Sequence, residues 1–348
     1  MVDPCGAYPE STPTDREIPQ GGPQTGRMIR RGTIAPMRAA TIRDGTILVE
    51  EHPDPVPGDS DLLVRVRGAG LNGADVHQLK GRYPAPPGAP QDIPGLELAG
   101  EVVECGPGVQ RFEVGDRVMS IVAGGGQAEL AVVHERTAMP VPDELDWEAA
   151  GGVPEVFTTA HDALFTQAGL RTGERLLVHG AAGGVGTAGV QLGQMAGARV
   201  TATVRNPDLR KRVDALDVHA IDPEGFEEHG PYDVVLELVG APNMPGNLAA
   251  LATGGRIVVI GVGAGAKTEL NLGILMAKRA TIHASTLRSR PLEEKAATAR
   301  CVERSVLPGF ASGDLSVPVC ATYPLDEVAD AYERFQAGGK LGKIVLTP

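Results

Sequence analysis

The chain has 348 residues, and 42% of them are hydrophobic, which is enough apolar side chain for two cores and therefore for two domains. Its formal net charge of −12, with a pI near 5.2, argues against nucleic acid or an anionic membrane as a partner. No apolar run approaches the roughly 20 residues that span a bilayer, and the four cysteines are scattered without a C-x-x-C pair. These features indicate a reduced, cytoplasmic protein.

The predicted elements begin after residues 1–36, which are rich in Pro, Gly, Thr and Arg and have no hydrophobic periodicity, so that we expect a disordered leader. From Met37 onward, alternating apolar residues and Gly/Pro turns predict a mostly antiparallel β domain over residues 37–155. Its predicted strands are the one that opens at Met37, Asp61–Ala69, Leu98–Glu104, Arg117–Ile121 and Gln127–Val133. A helix after Pro291, a strand over Leu315–Ala321 and the ending Gly338–Leu346 are expected to return to this domain as residues 292–348.

Residues 156–291 alternate short apolar strands with helix-length spacers, which is typical of a doubly wound parallel sheet of the Rossmann type. The predicted strands are Arg175–Val178, Arg199–Val204, Tyr232–Leu238, Gly255–Gly261 and Thr281–Ser285. The predicted helices are one that ends near Gly197, Pro207–Leu216 and Pro245–Ala252. A ligand of such a sheet lies beyond the carboxyl ends of the strands, where Gly240, Gly261 and Thr286 follow.

The string HGAAGGVGT over His179–Thr187 stands between the first of these strands and a helix. Its form is A-x-G-x-x-G, because Ala181 occupies the place of the first glycine of the dinucleotide-binding fingerprint. Glycines let the backbone approach a pyrophosphate, and the amides at the helix start carry partial positive charge toward it. The string therefore predicts a dinucleotide site, and the alternative is a turn that only permits tight packing of strand and helix.

The choice of cofactor depends on the end of the second strand, where an NAD site places Asp or Glu. This chain reads Thr203-Val204-Arg205-Asn206 there, with no carboxylate before Asp208. Arg205 could hold a 2′-phosphate, with added charge from Arg210 or Lys211, so the sequence favours NADPH over NADH. The alternative is that these cations only form the solvated start of a helix.

Several strings in order carry a family resemblance: NGAD at Asn72–Asp75, GRYP at Gly81–Pro84, PGLELAG at Pro94–Gly100 and GDRV at Gly115–Val118, followed by the glycine turn. The chain resembles the zinc-independent quinone oxidoreductases of the medium-chain dehydrogenase/reductase superfamily. Further strings resemble the branch of the tumour-suppressor-inducible quinone oxidoreductase: GGGQAE at Gly124–Glu129, Pro154-Glu155, STLRSR at Ser285–Arg290 and GKIVL at Gly342–Leu346. This resemblance implies a GroES-like catalytic domain beside the Rossmann domain.

Zinc-dependent relatives use a Cys and a His as ligands of the catalytic metal. The matching positions here are Asn72 and Leu96, and neither side chain binds zinc in the usual way. A run of four closely spaced cysteines that those relatives carry after the position of Arg117 is also missing. We therefore expect no zinc and no other metal site.

The resemblance also implies roles for individual residues. Asn72 and Asp75 would lie by the nicotinamide and the acceptor, with Asn72 orienting by hydrogen bonds, and Tyr83 would flank the acceptor and is a candidate proton source. The alternatives are that Asn72 caps a turn, that Asp75 only starts a helix and that Tyr83 only packs. The implied cofactor contacts are Thr159, Ala181, Gly183, Gly184, Val185, Gly186, Thr187, Arg205, Gly240, Gly261, Thr286, Leu287, Arg288 and Lys343.

The predicted activity is hydride transfer from NADPH to a small-molecule quinone. The sequence leaves open two alternatives: reduction of an activated carbon–carbon double bond (an enone) by an enoyl reductase, and a non-catalytic NADPH-binding redox sensor. The family also implies a homodimer that pairs through the edge of the nucleotide-domain sheet, with Ala280–Ser285 as the candidate edge. The alternative is a monomer in which a loop or helix covers that edge.

Overall fold

The computed structural model describes residues 36–348, so the predicted leader lies, apart from Pro36, outside the described residues. The strands are β1 (Met37–Arg43), β2 (Thr46–His52), β3 (Asp61–Gly70), β4 (Glu97–Cys105), β5 (Arg117–Ile121), β6 (Leu130–His134), β7 (Met139–Pro140), β8 (Arg175–Val178), β9 (Arg199–Thr203), β10 (His219–Ile221), β11 (Tyr232–Glu237), β12 (Leu251–Val259), β13 (Thr281–Ala284), β14 (Val319–Pro324) and β15 (Lys343–Thr347). The α-helices are α1 (Gly73–Leu79), α2 (Trp147–Gly151), α3 (Pro154–His161), α4 (Gly184–Met195), α5 (Pro207–Asp214), α6 (Met244–Ala250), α7 (Leu272–Lys278), α8 (Leu292–Ser305), α9 (Leu307–Ser312) and α10 (Val328–Gln336). A π-helical segment, Asp162–Gln167, continues α3.

The first domain is built on a sheet in the order β14-β15-β3-β4-β5-β7, with β6 paired to β3 and a separate β1–β2 hairpin. Its pairings are antiparallel except for β14 with β15. In β3, Leu62, Val64 and Val66 are buried while Arg65 and Arg67 are exposed, which is the alternation that the sequence shows. Because β15 pairs with β3, the end of the chain returns to this domain.

The second domain is a six-stranded sheet in the order β10-β9-β8-β11-β12-β13. All of its pairings are parallel, and β8, which precedes the glycine turn, lies in the middle. The interior strand β11 is almost entirely buried, consistent with cover on both faces. The predicted fold class, a Rossmann-type sheet beside a mostly antiparallel β domain, is confirmed.

Several predicted boundaries were wrong, and three of them have a clear cause in the structure. The predicted helix Pro245–Ala252 ends at Ala250, because Leu251 already pairs with Tyr232 at the start of β12. The strand predicted over Leu315–Ala321 begins only at Val319, because the amide of Leu315 donates to the carbonyl of Gly309 and closes a turn after α9. The strand predicted over Gln127–Val133 starts at Leu130, since the amide of Gln127 donates to Pro94 in a loop contact.

The two domains meet along α3, which packs on α4 of the second domain and on α8. The ring of Phe157 on α3 lies edge-on to Phe310 on α9, with centroids 4.8 Å apart. Just before β15, the amide of Gly342 donates to the carbonyl of Ala182 at 2.8 Å, so the glycine turn touches the last strand of the first domain. A cleft between the domains results. Over residues 36–348, no helix has the length and apolarity needed to cross a membrane.

Candidate active site

The glycine turn leads from the end of β8 into α4, with Gly183 as the N-cap residue in extended backbone conformation. A Cβ on Gly186 would come within 2.5 Å of the carbonyl oxygen of Gly180, so this glycine permits the close approach of helix and turn. A Cβ on Gly184 would come within 2.8 Å of the Val156 side chain and 2.9 Å of the Lys343 side chain. The first amides of a helix have no intrahelical acceptor and point outward, which makes this end of α4 suited to a phosphate group.

These amides border a cavity of about 300 Å³ between the domains, the small cavity. A second cavity of about 770 Å³, the large cavity, lies next to it. The residues that line both cavities are Gly73, Ala74, Glu155, Thr159, Leu238, Ile260 and Gly261. Since the two cavities share a wall, one extended ligand with a phosphate end and a ring end can occupy both.

The predicted cofactor residues divide into two groups by their place around this cleft. Gly183, Gly184, Val185, Gly186 and Lys343 line the small cavity, Thr286, Leu287 and Arg288 line the large one, and Thr159 and Gly261 line both. Ala181, Thr187, Gly240 and Arg205 line neither.

The predicted residues that line neither cavity have other contacts. Ala181 is fully buried and its amide donates to the carbonyl of Thr203, while the hydroxyl of Thr187 donates to the carbonyl of Gly184 at 2.9 Å. Gly240 has φ +117, and its amide donates to the carboxylate of Glu237 at 2.8 Å. These three residues support the loops that form the cleft.

Lys343 on β15 lies at the centre of a buried polar cluster. Its ammonium group lies 2.5 Å from the carboxylate of Glu97 on β4 and 2.8 Å from the side-chain oxygen of Asn72. It also donates to the carbonyl of Leu71 at 2.9 Å, so three oxygens receive its three protons. The side chains of Lys343 and Glu97 are 3% and 0% exposed, which leaves the pair almost without water.

Asn72 joins this cluster to the start of α1. Its side-chain nitrogen donates to Glu97 at 2.9 Å and to the carbonyl of Gly70 at 3.2 Å. The carboxylate of Asp75 accepts from the amide of Asn72 at 2.8 Å and from the amide of Gly95 at 3.2 Å. Asp75 is fully buried and lines neither cavity, which is the geometry of the helix-capping alternative. Burial raises the pKa of Asp75 to about 6.

Glu155, in the first turn of α3, is an acidic residue of the cleft that the sequence analysis did not assign. Its backbone amide donates to the carboxylate of Glu97 at 2.8 Å, and its partly buried side chain lines both cavities. Burial, and then the negative charge of Glu97, raise the pKa of Glu155 to about 8, against the opposing effect of Lys343. The Pro154-Glu155 string was visible in the sequence, but nothing local shows that its carboxyl is placed beside a second one.

Tyr83 and the loop after β13 form another wall of the large cavity. The hydroxyls of Tyr83 and Thr286 are 3.4 Å apart. The guanidinium of Arg288 lies over the ring of Tyr83. It donates to the carbonyls of Tyr83 and Ala123 and to the side chain of Gln78. The side chain of Arg288 therefore holds the loop against the first domain.

Arg205 follows the end of β9, on the same edge of the sheet as the glycine turn. Its side chain is exposed and makes no hydrogen bond or ion pair with the described residues. The other two predicted cations are already paired, Arg210 with Asp222 and Lys211 with Asp208 at 3.8 Å. Lys340, which the sequence analysis missed, lines the small cavity, and burial lowers its pKa to about 8.

Comparison with known proteins shows the family to which this chain belongs. Residues 58–143 match the family model of the alcohol dehydrogenase GroES-like domain, and residues 213–346 match that of the zinc-binding dehydrogenases. Quinone oxidoreductase from Rattus norvegicus is 32% identical over 306 residues, which cover 84% of this chain and 90% of that protein. The chain belongs to the medium-chain dehydrogenase/reductase superfamily. The resemblance found in the sequence is thereby confirmed.

Two further members of the superfamily extend the comparison. Acryloyl-coenzyme A reductase from Metallosphaera sedula is 31% identical over 335 residues, covering 86% of this chain and 96% of that protein. The solved structure of an alcohol dehydrogenase superfamily protein from Novosphingobium aromaticivorans has a TM-score of 0.78 at 27% identity, and the match covers 90% of this chain and 99% of that one.

The zinc that the family description implies does not fit the residues of this cleft. The side-chain oxygen of Asn72 accepts from Lys343, and Leu96 presents only hydrocarbon to the large cavity. The cation that Glu97 contacts is the ammonium of Lys343. Among the described residues, no three His, Cys, Asp or Glu side chains are grouped so that they could hold a metal ion.

Proposed function

We propose that this chain is an NADPH-dependent, zinc-independent oxidoreductase that transfers a hydride to quinones or related electron-poor acceptors. The observation that carries the proposal is the pair of adjoining cavities, one bordered by the amides of the glycine turn and the other large enough for an aromatic acceptor. When bound, a reduced nicotinamide supplies the hydride. The protein then has to bind the cofactor and the acceptor, orient them toward each other, and exclude water.

The small cavity fits the pyrophosphate of such a cofactor. Gly184, Val185 and Gly186 present amides at the N-terminus of α4, and Lys340, which lines the same cavity, contributes a cation. Thr159 and Gly261, on the wall common to both cavities, would face the nicotinamide. The free guanidinium of Arg205 supports a 2′-phosphate, and hence NADPH, because its charge has no partner within the described chain.

The large cavity supports an acceptor that needs no metal to accept electrons. Quinones and enones delocalise the negative charge that they gain. The side-chain amide of Asn72 is hydrogen-bonded to Glu97 and Lys343, and these bonds fix its position. Asn72 would orient the ligand from this fixed position. Tyr83 lines this cavity and would flank the acceptor.

Reduction of an activated carbon–carbon double bond is the second candidate reaction. It is favoured by the similarity to acryloyl-coenzyme A reductase, which covers 96% of that protein. The protonation that this reaction requires at carbon would need an acid at the cavity wall, and the large cavity has titratable side chains for it.

We also propose that two chains pair through β13. This strand is an edge of the six-stranded sheet. The amide of Ser285 donates inward to Val259, and because donors alternate along a strand, the amide of Ile282 points to the free edge. The helix α7, which directly precedes β13 in the chain, exposes two apolar side chains, Leu272 at 62% and Met276 at 76%.

An acceptor screen tests the proposed function. Purified protein, before and after dialysis against a strong chelator, is mixed with a panel of quinones and enones, and the oxidation of NADPH and of NADH is followed by absorbance. We expect turnover of quinones, a preference for NADPH, and no loss of activity after chelation. Binding of NADPH without turnover of any acceptor would refute the enzymatic proposal, and one zinc per chain by elemental analysis would refute metal independence.

A further inference from the structure

Three carboxyl groups lie near the ammonium of Lys343 at the inner end of the cleft. Glu97 contacts Lys343 directly, while Asp75 and Glu155 contribute negative charge from α1 and α3. Arg288, which also lines the large cavity, adds a weaker attraction for Glu155. Closely placed carboxylates repel one another, and the ammonium of Lys343 contacts only one of the three, so one carboxyl is favoured to keep its proton.

The hydrogen bonds show which carboxyl this is. Glu97 has the ammonium of Lys343 on one oxygen and the amide of Glu155 on the other. Asp75 accepts from two backbone amides. The side chain of Glu155 has no hydrogen-bond or ion-pair partner among residues 36–348. The backbone amide of Glu155, at the start of α3, already donates to Glu97. The environment therefore favours the neutral form of Glu155.

Glu155 is also the one titratable side chain, within the described chain, that lines both cavities. It lies at the boundary between the glycine-turn end of the cleft and the cavity that also holds Tyr83. An acid at that boundary faces the place where a nicotinamide and an acceptor would meet. Resting on the proposed function, we propose that the carboxyl of Glu155 is the proton donor of acceptor reduction.

The proposed step balances as follows. The acceptor gains a hydride, which is two electrons and one proton, from the reduced nicotinamide, which is thereby oxidised. The O–H bond of Glu155 breaks while a new O–H or C–H bond forms on the acceptor, and the carboxylate of Glu155 then recovers a proton from solvent. The site thereby returns to its starting state.

The first test needs neither cofactor nor acceptor. The pKa of Glu155 is raised from an ordinary value of 4.5 to about 8, so the folded state binds more protons than the unfolded state between these values, and stability is lost as the pH rises through this window. Glu155→Gln removes the titrating group at nearly constant shape. We expect the difference in melting temperature, variant minus wild type, to increase between about pH 5 and about pH 8. The control, Glu144→Gln on the exposed loop before α2, is expected to follow the wild type.

The second test is kinetic. With saturating NADPH, Glu155→Gln is expected to lower kcat by about a hundredfold, the scale of general acid catalysis, while the Kd for NADPH is unchanged. The wild-type rate is expected to fall above a pH of about 8. The residual rate of the variant is not expected to fall there. Tyr83→Phe separates the two candidate donors, since it is expected to keep the fall at high pH.

The outcomes distinguish the two proposals. A wild type that turns over acceptors while Glu155→Gln matches it in kcat would refute the role of Glu155 and leave the proposed function standing. An unchanged difference in melting temperature between wild type and Glu155→Gln across the pH range would also refute it, because Glu155 would then be ionised. An inactive wild type would refute the proposed function and this inference with it.

Discussion

The buried pair of Lys343 and Glu97 links β15, at the end of the chain, to β4, 246 residues earlier. Lys343→Met keeps most of the volume of the lysine stem but removes its charge. Glu97, fully buried, then loses the cation at 2.5 Å, and Asn72 and the carbonyl of Leu71 lose a donor. Removal of one partner of a buried ion pair costs about 3–5 kcal/mol, because the other charge remains without compensation. We expect a destabilisation of this size.

The matched variant is Lys343→Met combined with Glu97→Gln. The glutamine side chain introduced by the second substitution is neutral, and its oxygen can still accept from the amide of Glu155 as Glu97 does at 2.8 Å. The double variant should therefore be more stable than Lys343→Met alone by about 2 kcal/mol or more, which is the sign of strong coupling between the two sites.

Urea unfolding measures both differences, and the single tryptophan of the chain, Trp147 on α2, reports on the first domain by fluorescence. The comparison requires equal m-values, so that the midpoints give free energies. A cost below about 1 kcal/mol for Lys343→Met would refute the role of the buried pair, because an exposed ion pair contributes that little. A double variant that is no more stable than Lys343→Met alone would refute it as well.

Three further predictions follow from single side chains. Arg205→Ala should raise the KM for NADPH by about tenfold to a hundredfold, the loss of a charge-assisted contact worth about 1.5–3 kcal/mol, and should leave NADH kinetics unchanged; equal effects on both cofactors would contradict the assignment of Arg205. Ile282→Pro removes an amide from the free edge of β13 and should convert dimer to monomer in light scattering, whereas a wild type that is already monomeric at micromolar concentration would contradict the proposed interface. His161, bonded to Ser305 through Nε2 and without a partner for Nδ1 among residues 36–348, has a pKa that burial lowers from 6.5 to about 4, so the wild type should lose stability as the pH falls through that window. In thermal unfolding, His161→Gln should show a smaller loss over the same range, and parallel pH curves would contradict this account.

The sequence by itself determined the fold class, the approximate ranges of the strands that flank the glycine turn, and the position of the turn. These features depend on patterns within a few residues: alternation in Asp61–Gly70, apolar runs such as Tyr232–Glu237, and glycines at the start of α4. The short strand His219–Ile221 was missed because three residues are too few for a period to show.

Only the tertiary structure decided which polar side chains meet. Lys343 could be read from sequence as a surface lysine, yet it is buried against Glu97 and Asn72 because β15 folds back beside β3. Arg288, expected to contact the cofactor, has its guanidinium donors taken by the first domain. The neutral state of Glu155 likewise depends on charges that come from other elements of the fold. Burial and electrostatic interactions depend on distances in space between residues far apart in the chain, and no local pattern records these distances.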